Sequence, residues 1–454
     1  MPDWSTAFDA YARQRMALFQ TPGMAAGFTQ GGRLMHLQAY GVLNPDGDAA
    51  RPDTLFGVGS ITKSFTALAI LQLAERGRLS TQDPVARHLP GFRLPGHSAV
   101  EPVRLHHLLT HTSGLPPLPA LGMSLVHPPD GAPPAIRDYA GMMDYLSQLD
   151  QPLLGPPGAF FSYSNEGYGL LGAVVEAASG EAYSDYVEDH VLAPCGMRRS
   201  TFRNPGAEAL GGATDLYDLR HVAGGAEEVF ASPGWSDAPA MIGAGWLRST
   251  VPDLLRYLAM YLRQGELDGE RLLSAAGIRE MLQPRVPIAP DRYYAYGFSI
   301  VRDFHGYDLV GHSGGLKGVG ADVGFVPGLG LAGAALANLM GPSARQAVQG
   351  GLACALGQRP QPFCRDYPSF TPPREGLSAY VGVYPSGEGE TCRVTLRDGR
   401  LVMDDGTTEG DLRPVGPDAF VHSDRGDETY VRFWRQAGAV YAVSCGTRMI
   451  LRRA

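Results

Sequence analysis

The chain has 454 residues, a charged fraction of 19%, a hydrophobic fraction of 44% and a formal net charge of -8. Its length predicts roughly two to three domains with a sizeable core. The acidic balance argues against nucleic acid as a partner, because binding it would require a basic patch. The sequence has no run of about 18 apolar residues, so it predicts no membrane span.

The N-terminus and the cysteines bear on the compartment. The chain starts Met1-Pro2-Asp3-Trp4-Ser5, without a basic start and an apolar stretch, and so predicts no secretory signal. The cysteines are odd in number and lack a C-x-x-C spacing, which fits neither a disulfide framework nor a zinc site. They are Cys195, Cys354, Cys364, Cys392 and Cys445. We therefore expect a reducing, cytoplasmic compartment.

The first predicted element is an amphipathic helix over residues 3–19, where apolar side chains recur at helical spacing. Two short apolar runs follow at 24–29 and 34–40, and the glycines between them predict a β-hairpin. The long middle region is mostly helical. Its clearest predicted helices end at or near a glycine and cover residues 61–76, 167–178 and 252–264.

Proline-rich stretches at 115–134 and 152–158 predict irregular loops in that middle region. Strand-like runs return afterwards, and a helix at about 342–356 follows them. The predicted strands cover residues 296–302, 307–311, 320–326 and 330–338. The pattern predicts an α/β (α+β) fold in which segments from both chain ends form one antiparallel sheet, flanked by helices, with a helical insert between them.

The texture of the sequence changes after residue 356. Residues 357–374 contain five prolines and predict a linker. Residues 375–454 show short alternating runs separated by turns, which is typical of a small all-β module. We therefore predict a main domain over 1–356, the linker, and a small β-barrel-like C-terminal domain over 375–454.

One of the few lysines of the chain lies at the start of a predicted helix. The chain has 36 arginines but only two lysines, Lys63 and Lys317. Lys63 follows Ser60 by three positions at the start of the helix 61–76, so the two side chains share a face. A serine hydroxyl needs an adjacent base to become a nucleophile, and lysine, unlike arginine, can lose its proton. The alternative is codon bias that left two lysines by chance.

Two further motifs carry candidate side chains. Tyr163-Ser164-Asn165 precedes the helix 167–178, where Tyr163 would be a second proton carrier and Asn165 would orient substrate and Lys63. The alternative is that Asn165 caps this helix. His312-Ser313-Gly314-Gly315 ends a strand-like run. It predicts either a glycine-rich turn or a strand edge that substrate approaches closely.

If the third motif is a strand edge, it could form a backbone oxyanion hole. The N–H groups of Gly315 and Ser60 would together bind the negative charge that develops on an attacked carbonyl oxygen.

These three motifs together resemble the serine β-lactamase and penicillin-binding-protein superfamily. The similarity is to the class C β-lactamase-like branch, with its D-aminopeptidases, D-Ala-D-Ala carboxypeptidases and esterases. That family has S-x-x-K, Y-x-N and a K-T-G or H-x-G element in this order. The resemblance covers about residues 10–350 and includes the connecting stretches 105–116, 157–180 and 243–250. It implies a β-lactamase/transpeptidase-like fold.

The resemblance implies a role for each matching residue. Ser60 would attack a carbonyl, Lys63 and Tyr163 would move its proton, and Asn165 would contact substrate or Lys63. His312 takes the place of the K-T-G lysine and would titrate near neutrality, so we expect poor recognition of penicillins. His312, Gly314 and Gly315 would bind substrate along the strand edge. No metal and no organic cofactor are implied.

Other residues near the motifs have simpler interpretations. His106, His107 and His111 invite a metal-site hypothesis, but the matching family stretch is structural and no acidic partner has zincin spacing. Glu166 suits a helix N-terminus. Three tyrosines either line the pocket mouth or pack in the core, namely Tyr293, Tyr294 and Tyr296. Lys317 has no predicted role.

The sequence thus predicts a serine hydrolase that acts on an ester or on an amide such as a D-amino-acid peptide. The alternatives are a β-lactamase of weak activity and a non-catalytic binding protein that keeps the fold. The expected partner is a small-molecule or peptide substrate, and the oligomeric state is open. Pocket shape would depend on the loops at 115–158 and 203–242. We also hypothesise that the module 375–454 covers or borders the active site.

Overall fold

The computed structural model describes residues 4–96, 102–126, 135–204, 209–221, 227–232 and 234–453. Parts of the predicted loops at 115–158 and 203–242 lie outside these ranges, as do Met1, Pro2 and Asp3. The described helices are α1 (Trp4–Leu18), α2 (Thr62–Glu75), α3 (Val85–His88), α4 (Leu105–Leu109), α5 (Ala120–Met123), α6 (Tyr139–Ser147), α7 (Asn165–Ser179), α8 (Tyr183–Val187), α9 (Val251–Leu262), α10 (Ala275–Met281) and α11 (Ser343–Ala355).

Strands occur at both ends of the main domain and throughout the C-terminal module. Up to the linker they are β1 (Gly23–Gln30), β2 (Arg33–Gly41), β3 (Phe56–Gly57), β4 (Tyr217–His221), β5 (Glu227–Ala231), β6 (Arg248–Ser249), β7 (Glu266–Leu267), β8 (Glu270–Arg271), β9 (Val286–Ala289), β10 (Arg292–Tyr294), β11 (Ser299–Phe304), β12 (Tyr307–Leu316), β13 (Val319–Val326) and β14 (Leu331–Ala337). After it come β15 (Gly382–Pro385), β16 (Thr391–Arg397), β17 (Arg400–Asp404), β18 (Glu409–Gly416), β19 (Ala419–Asp424), β20 (Asp427–Gln436), β21 (Ala439–Cys445) and β22 (Arg448–Leu451).

One antiparallel sheet of eight strands joins the two ends of the main domain, in the order β2-β1-β14-β13-β12-β11-β10-β9. Strand β1 pairs with β14 from Met24 opposite Ala337 to Gln30 opposite Leu331. Helices α1 and α11 cover one face of this sheet, and α9 with the helical insert covers the other. The predicted sheet from both chain ends around a helical insert is confirmed.

The strands β9 and β10 were not predicted. They are only four and three residues long, and Pro287 and Pro290 interrupt the run that would have indicated them. These two strands extend the sheet beyond β11 at the side of the candidate site.

The C-terminal module is an up-and-down meander of eight strands, β15 to β22 in sequence order. Arg453 N donates to Val383 O at 2.9 Å, so the last strand returns to the first and the barrel is nearly closed. A separate hydrophobic core fills it, with Tyr384, Met403 and Val443 fully buried. The predicted small all-β C-terminal domain is confirmed.

Strand β12 has an open edge where the candidate site lies. Its pairing with β11 ends at Gly311, which lies opposite Ser299. Its pairing with β13 continues to Leu316. The stretch 312–316 therefore has a neighbour on one side only, next to the turn that holds Ser60. Among the described residues, no helix combines the length and apolar character needed to cross a membrane.

Candidate active site

Ser60 lies in a 3-10 turn, Gly59–Ile61, that leads directly into helix α2. The hydroxyl of Ser60 and the amine of Lys63 are neighbours, as the spacing predicted, with 3.1 Å between Oγ and Nζ. Helix α2 is buried on every side from Thr62 to Leu73, because it runs between the sheet and the other helices of the insert. The position of both side chains is therefore fixed by the core.

The amine of Lys63 is fully buried and makes three contacts. Nζ lies 2.9 Å from Asn165 Oδ1 and 2.6 Å from the backbone oxygen of Ala244, besides its contact with Ser60. Burial lowers the pKa of Lys63 well below its usual range, and the nearby charge of Arg448 lowers it further. In the neutral form that burial favours, the two N–H bonds would go to the two oxygen acceptors and the lone pair would face the Ser60 hydroxyl.

Tyr163 precedes helix α7 and lies beside both Ser60 and the C-terminal barrel. Its backbone N–H donates to Thr447 O at 2.9 Å, and its ring stacks on His111 with centroids 4.1 Å apart. Burial raises the pKa of the Tyr163 phenol, so the hydroxyl keeps its proton at neutral pH.

Helix α7 shows why Asn165 is free to reach Lys63. The N-cap is Ser164, whose Oγ accepts from Gly167 N at 3.1 Å. The capping alternative for Asn165 is therefore wrong, since Asn165 begins the helix and its side chain points to Lys63. Glu166 lies buried in the first turn and accepts from Ser164 Oγ at 2.7 Å. Burial raises the pKa of Glu166.

His312 lies on β12 at the start of the open edge and is buried against Tyr294. Its Nδ1 is 2.6 Å from Ser313 O, and its Nε2 is 3.1 Å from the Tyr294 hydroxyl. Burial, followed by the charge of Lys63, lowers the pKa of His312 to about 4. The expectation that His312 titrates near neutrality is therefore wrong, because this environment disfavours its charged form.

Glycines let the β12 edge lie against the turn of Ser60. A Cβ on Gly59 would lie 2.9 Å from Gly315 N, and one on Gly314 would lie 2.0 Å from Val58 O. Both approaches exclude larger residues, and Gly59 also has a φ of 51°. The backbone of Gly315 is thereby placed beside the turn of Ser60, where two N–H groups could bind one oxyanion.

The C-terminal barrel supplies one wall of the site. Arg448 lies over the ring of Tyr163, 4.6 Å from the centroid, and Glu388 accepts two hydrogen bonds from its guanidinium at 2.8 and 2.9 Å. The hypothesis that this module borders the active site agrees with these contacts. Sequence reasoning missed Arg448 itself, because Gly446-Thr447-Arg448 carries only the signal of a turn between strands.

A cavity of about 380 Å³ opens beside Ser60. Near the serine it is lined by Tyr163, Tyr294, His312 and Thr447. It continues past the edge of β12 to polar side chains of the sheet and of helix α11. Those of the sheet are Arg292, Ser313 and Asp322, and those of the helix are Arg345 and Gln349. The cavity thus extends beyond the residues of the three sequence motifs.

The remaining candidates divide between the site and the core. Of the three tyrosines, Tyr294 lines the cavity, whereas the Tyr296 hydroxyl bonds to His106 Nδ1 at 2.8 Å. His107 Nδ1 accepts from Arg104 N at 3.1 Å. His111 Nδ1 accepts from Ser164 N at 3.0 Å, which holds the residue after Tyr163. Tyr293 is half-buried and Lys317 is exposed, and neither lines this cavity.

Comparisons with known proteins agree with this geometry. A family model described as Beta-lactamase matches residues 8–354. The chain is 30% identical over 344 residues to Penicillin-binding protein 4 of Amycolatopsis lactamdurans, across 74% of this chain and 84% of that one. It is 37% identical over 201 residues to Esterase EstB of Burkholderia gladioli, across 43% of this chain and 50% of the esterase.

A solved structure extends the likeness to the C-terminal barrel. The octameric penicillin-binding protein homologue from Pyrococcus abyssi has a TM-score of 0.71 and is 28% identical, across 98% of this chain and 99% of that chain. The family model ends at residue 354, so the likeness beyond that residue rests on this structural match.

Proposed function

Because the chain belongs to the beta-lactamase family, whose members are serine hydrolases, we propose that it hydrolyses an ester or an amide through an acyl-enzyme at Ser60. The substrate would be a small carboxylic ester or a D-amino-acid-containing peptide. The observation that carries this proposal is the buried amine of Lys63, 3.1 Å from the hydroxyl of Ser60.

The first step forms a bond between Ser60 Oγ and the substrate carbonyl carbon. Lys63 takes the serine proton, because burial lowers the pKa of its amine and so favours the uncharged form that can accept a proton. Tyr163 is a phenol before the reaction and passes its proton to the departing oxygen or nitrogen as the bond from the carbonyl carbon to that atom breaks, and the proton held by Lys63 then replaces it. The N–H groups of Ser60 and Gly315 bind the negative charge on the carbonyl oxygen. Water then attacks the acyl carbon while Lys63 takes one of its protons. The bond from that carbon to Ser60 Oγ breaks, the acid is released, and the proton passes back to Ser60.

Asn165 and His312 position the reacting groups in this scheme. Asn165 holds the amine of Lys63 in place through its side-chain oxygen at 2.9 Å. The peptide backbone of the open edge at 312–316 pairs with an extended substrate. His312 is uncharged, so it offers no fixed cation to the carboxylate of a penicillin, and nitrocefin turnover should be slow.

The experiment that tests the proposal combines covalent labelling with a substrate panel. The wild type should react with a fluorophosphonate probe and hydrolyse at least one of a set of p-nitrophenyl esters and D- and L-aminoacyl anilides. The Ser60→Ala variant should lose both activities. Ser64→Ala is the matched control, because Ser64 lies on the same helix and its hydroxyl donates to Ile61 O at 2.8 Å. Labelling that survives in Ser60→Ala would refute the assignment.

We also propose the division of the chain into 1–356, a linker at 357–374 and a barrel domain at 375–454. Two separate hydrophobic cores support it, one around the central sheet and one inside the barrel. Contacts such as Met449 N to Ser162 Oγ at 3.4 Å and Tyr163 N to Thr447 O at 2.9 Å join the barrel to the segment that carries Tyr163.

A further inference from the structure

The inner end of the active-site cavity holds an arginine without a partner. Arg292 on β10 is half-buried and lines the same cavity as Ser60. Its Nε is inaccessible, and within the described ranges its guanidinium forms no hydrogen bond or ion pair. A guanidinium N–H that is buried without an acceptor costs free energy, and the cavity gives a ligand access to the other N–H groups. Arg292 is therefore a candidate group for binding a ligand.

The other charged groups at this end are already engaged. Arg345 donates to Asp427 Oδ2 at 2.5 Å, and Gln346 donates to Asp427 Oδ1 at 3.1 Å. Asp322 accepts from Ser313 Oγ. Burial raises the pKa of Asp322 to about 7, so near neutral pH this carboxyl is in part protonated. The two carboxylates nearest Arg292, those of Asp322 and Asp427, are thus each hydrogen-bonded to another side chain.

The position of Arg292 relative to Ser60 sets the length of a ligand that could reach both. Arg292 pairs with Val301, and Val301 pairs with Leu309 on β12, so two strand spacings of about 4.8 Å separate the backbones. Leu309 lies three residues before His312, about 10 Å along the strand. The arginine thus lies well beyond the scissile bond, and its side chain spans part of the gap.

We propose that the inner end of the cavity is an anion subsite, in which Arg292 binds a carboxylate on the acyl group of the substrate. This inference rests on the proposed hydrolysis at Ser60. The acyl group is the better occupant, because it stays attached to Ser60 after the leaving group departs. The Arg345–Asp427 pair, which joins α11 to β20, lies at this end of the cavity.

Matched esters test the subsite directly. The p-nitrophenyl monoesters of adipic and suberic acid carry a free carboxylate, and their methyl esters are neutral controls of equal length. We expect the wild type to prefer one of the acids over its methyl ester by ~10- to 100-fold in kcat/KM. Arg292→Met should abolish this preference and leave kcat/KM for the neutral esters nearly unchanged. Arg292→Lys should keep part of the preference.

Two further variants test whether the preference for acids depends on charge inside the cavity or on charge elsewhere in the molecule. Arg302→Met removes an exposed arginine of the neighbouring strand, which pairs with Asp308 outside the cavity, and should leave the preference intact. Asp322→Asn removes a competing carboxylate and should increase the preference. Competitive inhibition of neutral-ester hydrolysis by free suberate, strong in the wild type and weak in Arg292→Met, gives a second measurement that does not require the acid to be turned over.

The outcomes also separate this inference from the proposed function. If neutral esters are hydrolysed through Ser60 but no acid is preferred, the subsite is refuted and the hydrolase stands. An equal loss for acidic and neutral esters in Arg292→Met, with a lowered unfolding temperature, would assign Arg292 to stability and overturn the subsite. If no ester is hydrolysed and Ser60 is not labelled, while suberate still stabilises the wild type against heat but not Arg292→Met, the proposed function fails and the anion site remains.

Discussion

Two regions of the molecule bring a cation to the ring of Tyr163, and they do so differently. One is the start of helix α2, where Nζ of Lys63 lies 4.8 Å from the ring centroid. The other is the barrel turn at Thr447–Arg448, where the guanidinium of Arg448 lies 4.6 Å from it. Burial lowers the pKa of Lys63 and favours its uncharged form, whereas the guanidinium of Arg448 donates two hydrogen bonds to Glu388, which stabilise its charge. In the proposed reaction, the first group would move protons and the second would set the electrostatic field around it.

The largest effect should come from the proton acceptor. Lys63→Arg keeps a cation of similar length but removes a group that can lose its proton. We expect kcat/KM for the best ester to fall by ~10²- to 10⁴-fold, the range typical of a lost general base. Lys317→Arg is the matched control, because Lys317 is exposed and outside the cavity, and its activity should equal that of the wild type. Near-normal activity in Lys63→Arg would refute the base role.

A smaller effect should come from the barrel. The Arg448 charge lowers the pKa of Lys63, and Glu388 raises it. Arg448→Gln therefore removes a lowering influence and leaves Glu388 uncompensated, so the pKa of Lys63 should rise. The acidic limb of the kcat/KM profile should move to higher pH, with a several-fold loss on the acidic side. The measurement is a pH–rate profile for a neutral ester.

Two variants control for structural damage at this turn. Arg448→Lys keeps the positive charge, so the acidic limb of its kcat/KM profile should stay near the wild-type pH. Arg432→Gln removes another barrel arginine, which lies over Trp434 at 4.5 Å, and should shift nothing. A uniform loss of activity at every pH in Arg448→Gln would show that Arg448 acts only through packing.

The smallest effect should come from His312. Because its pKa is lowered to about 4, His312 is neutral over the range in which the enzyme would be assayed. His312→Gln should reduce kcat/KM for a neutral ester by less than about tenfold, as expected for the loss of neutral hydrogen bonds. The pH profile between about pH 5 and 8 should not change shape. A limb near pH 6.5 that disappears in this variant would contradict the buried environment described here.

The helix side of the site could be predicted from sequence because its geometry is local. Ser60 and Lys63 are three residues apart at a helix start, and that spacing alone places them together. Asn165 was harder, since it lies beside the capping residue Ser164, and only the folded helix shows which of the two caps it. Most strands of the central sheet could also be predicted from their apolar runs.

The barrel side could not be predicted, because its contacts join residues far apart in the chain. Arg448 lies 285 positions after Tyr163, and nothing in the turn at Gly446 indicates that it meets a tyrosine. The lowered pKa of His312 has the same origin, since burial by Tyr294 is a property of tertiary packing. Strand β10 was not predicted because it is only three residues long. The position of Arg292, which lies on this strand, could therefore not be predicted either.

The pairing of β1 with β14 also bears on how the molecule reaches its native state. Met24 lies opposite Ala337, so closing the central sheet requires a loop of more than three hundred residues. The barrel, by contrast, is a succession of hairpins between sequence neighbours, which close at lower entropic cost. Since the backbone N–H of Tyr163 donates to Thr447 O in the barrel while the β12 edge depends on the sheet, we expect the site around Ser60 to assemble late in folding.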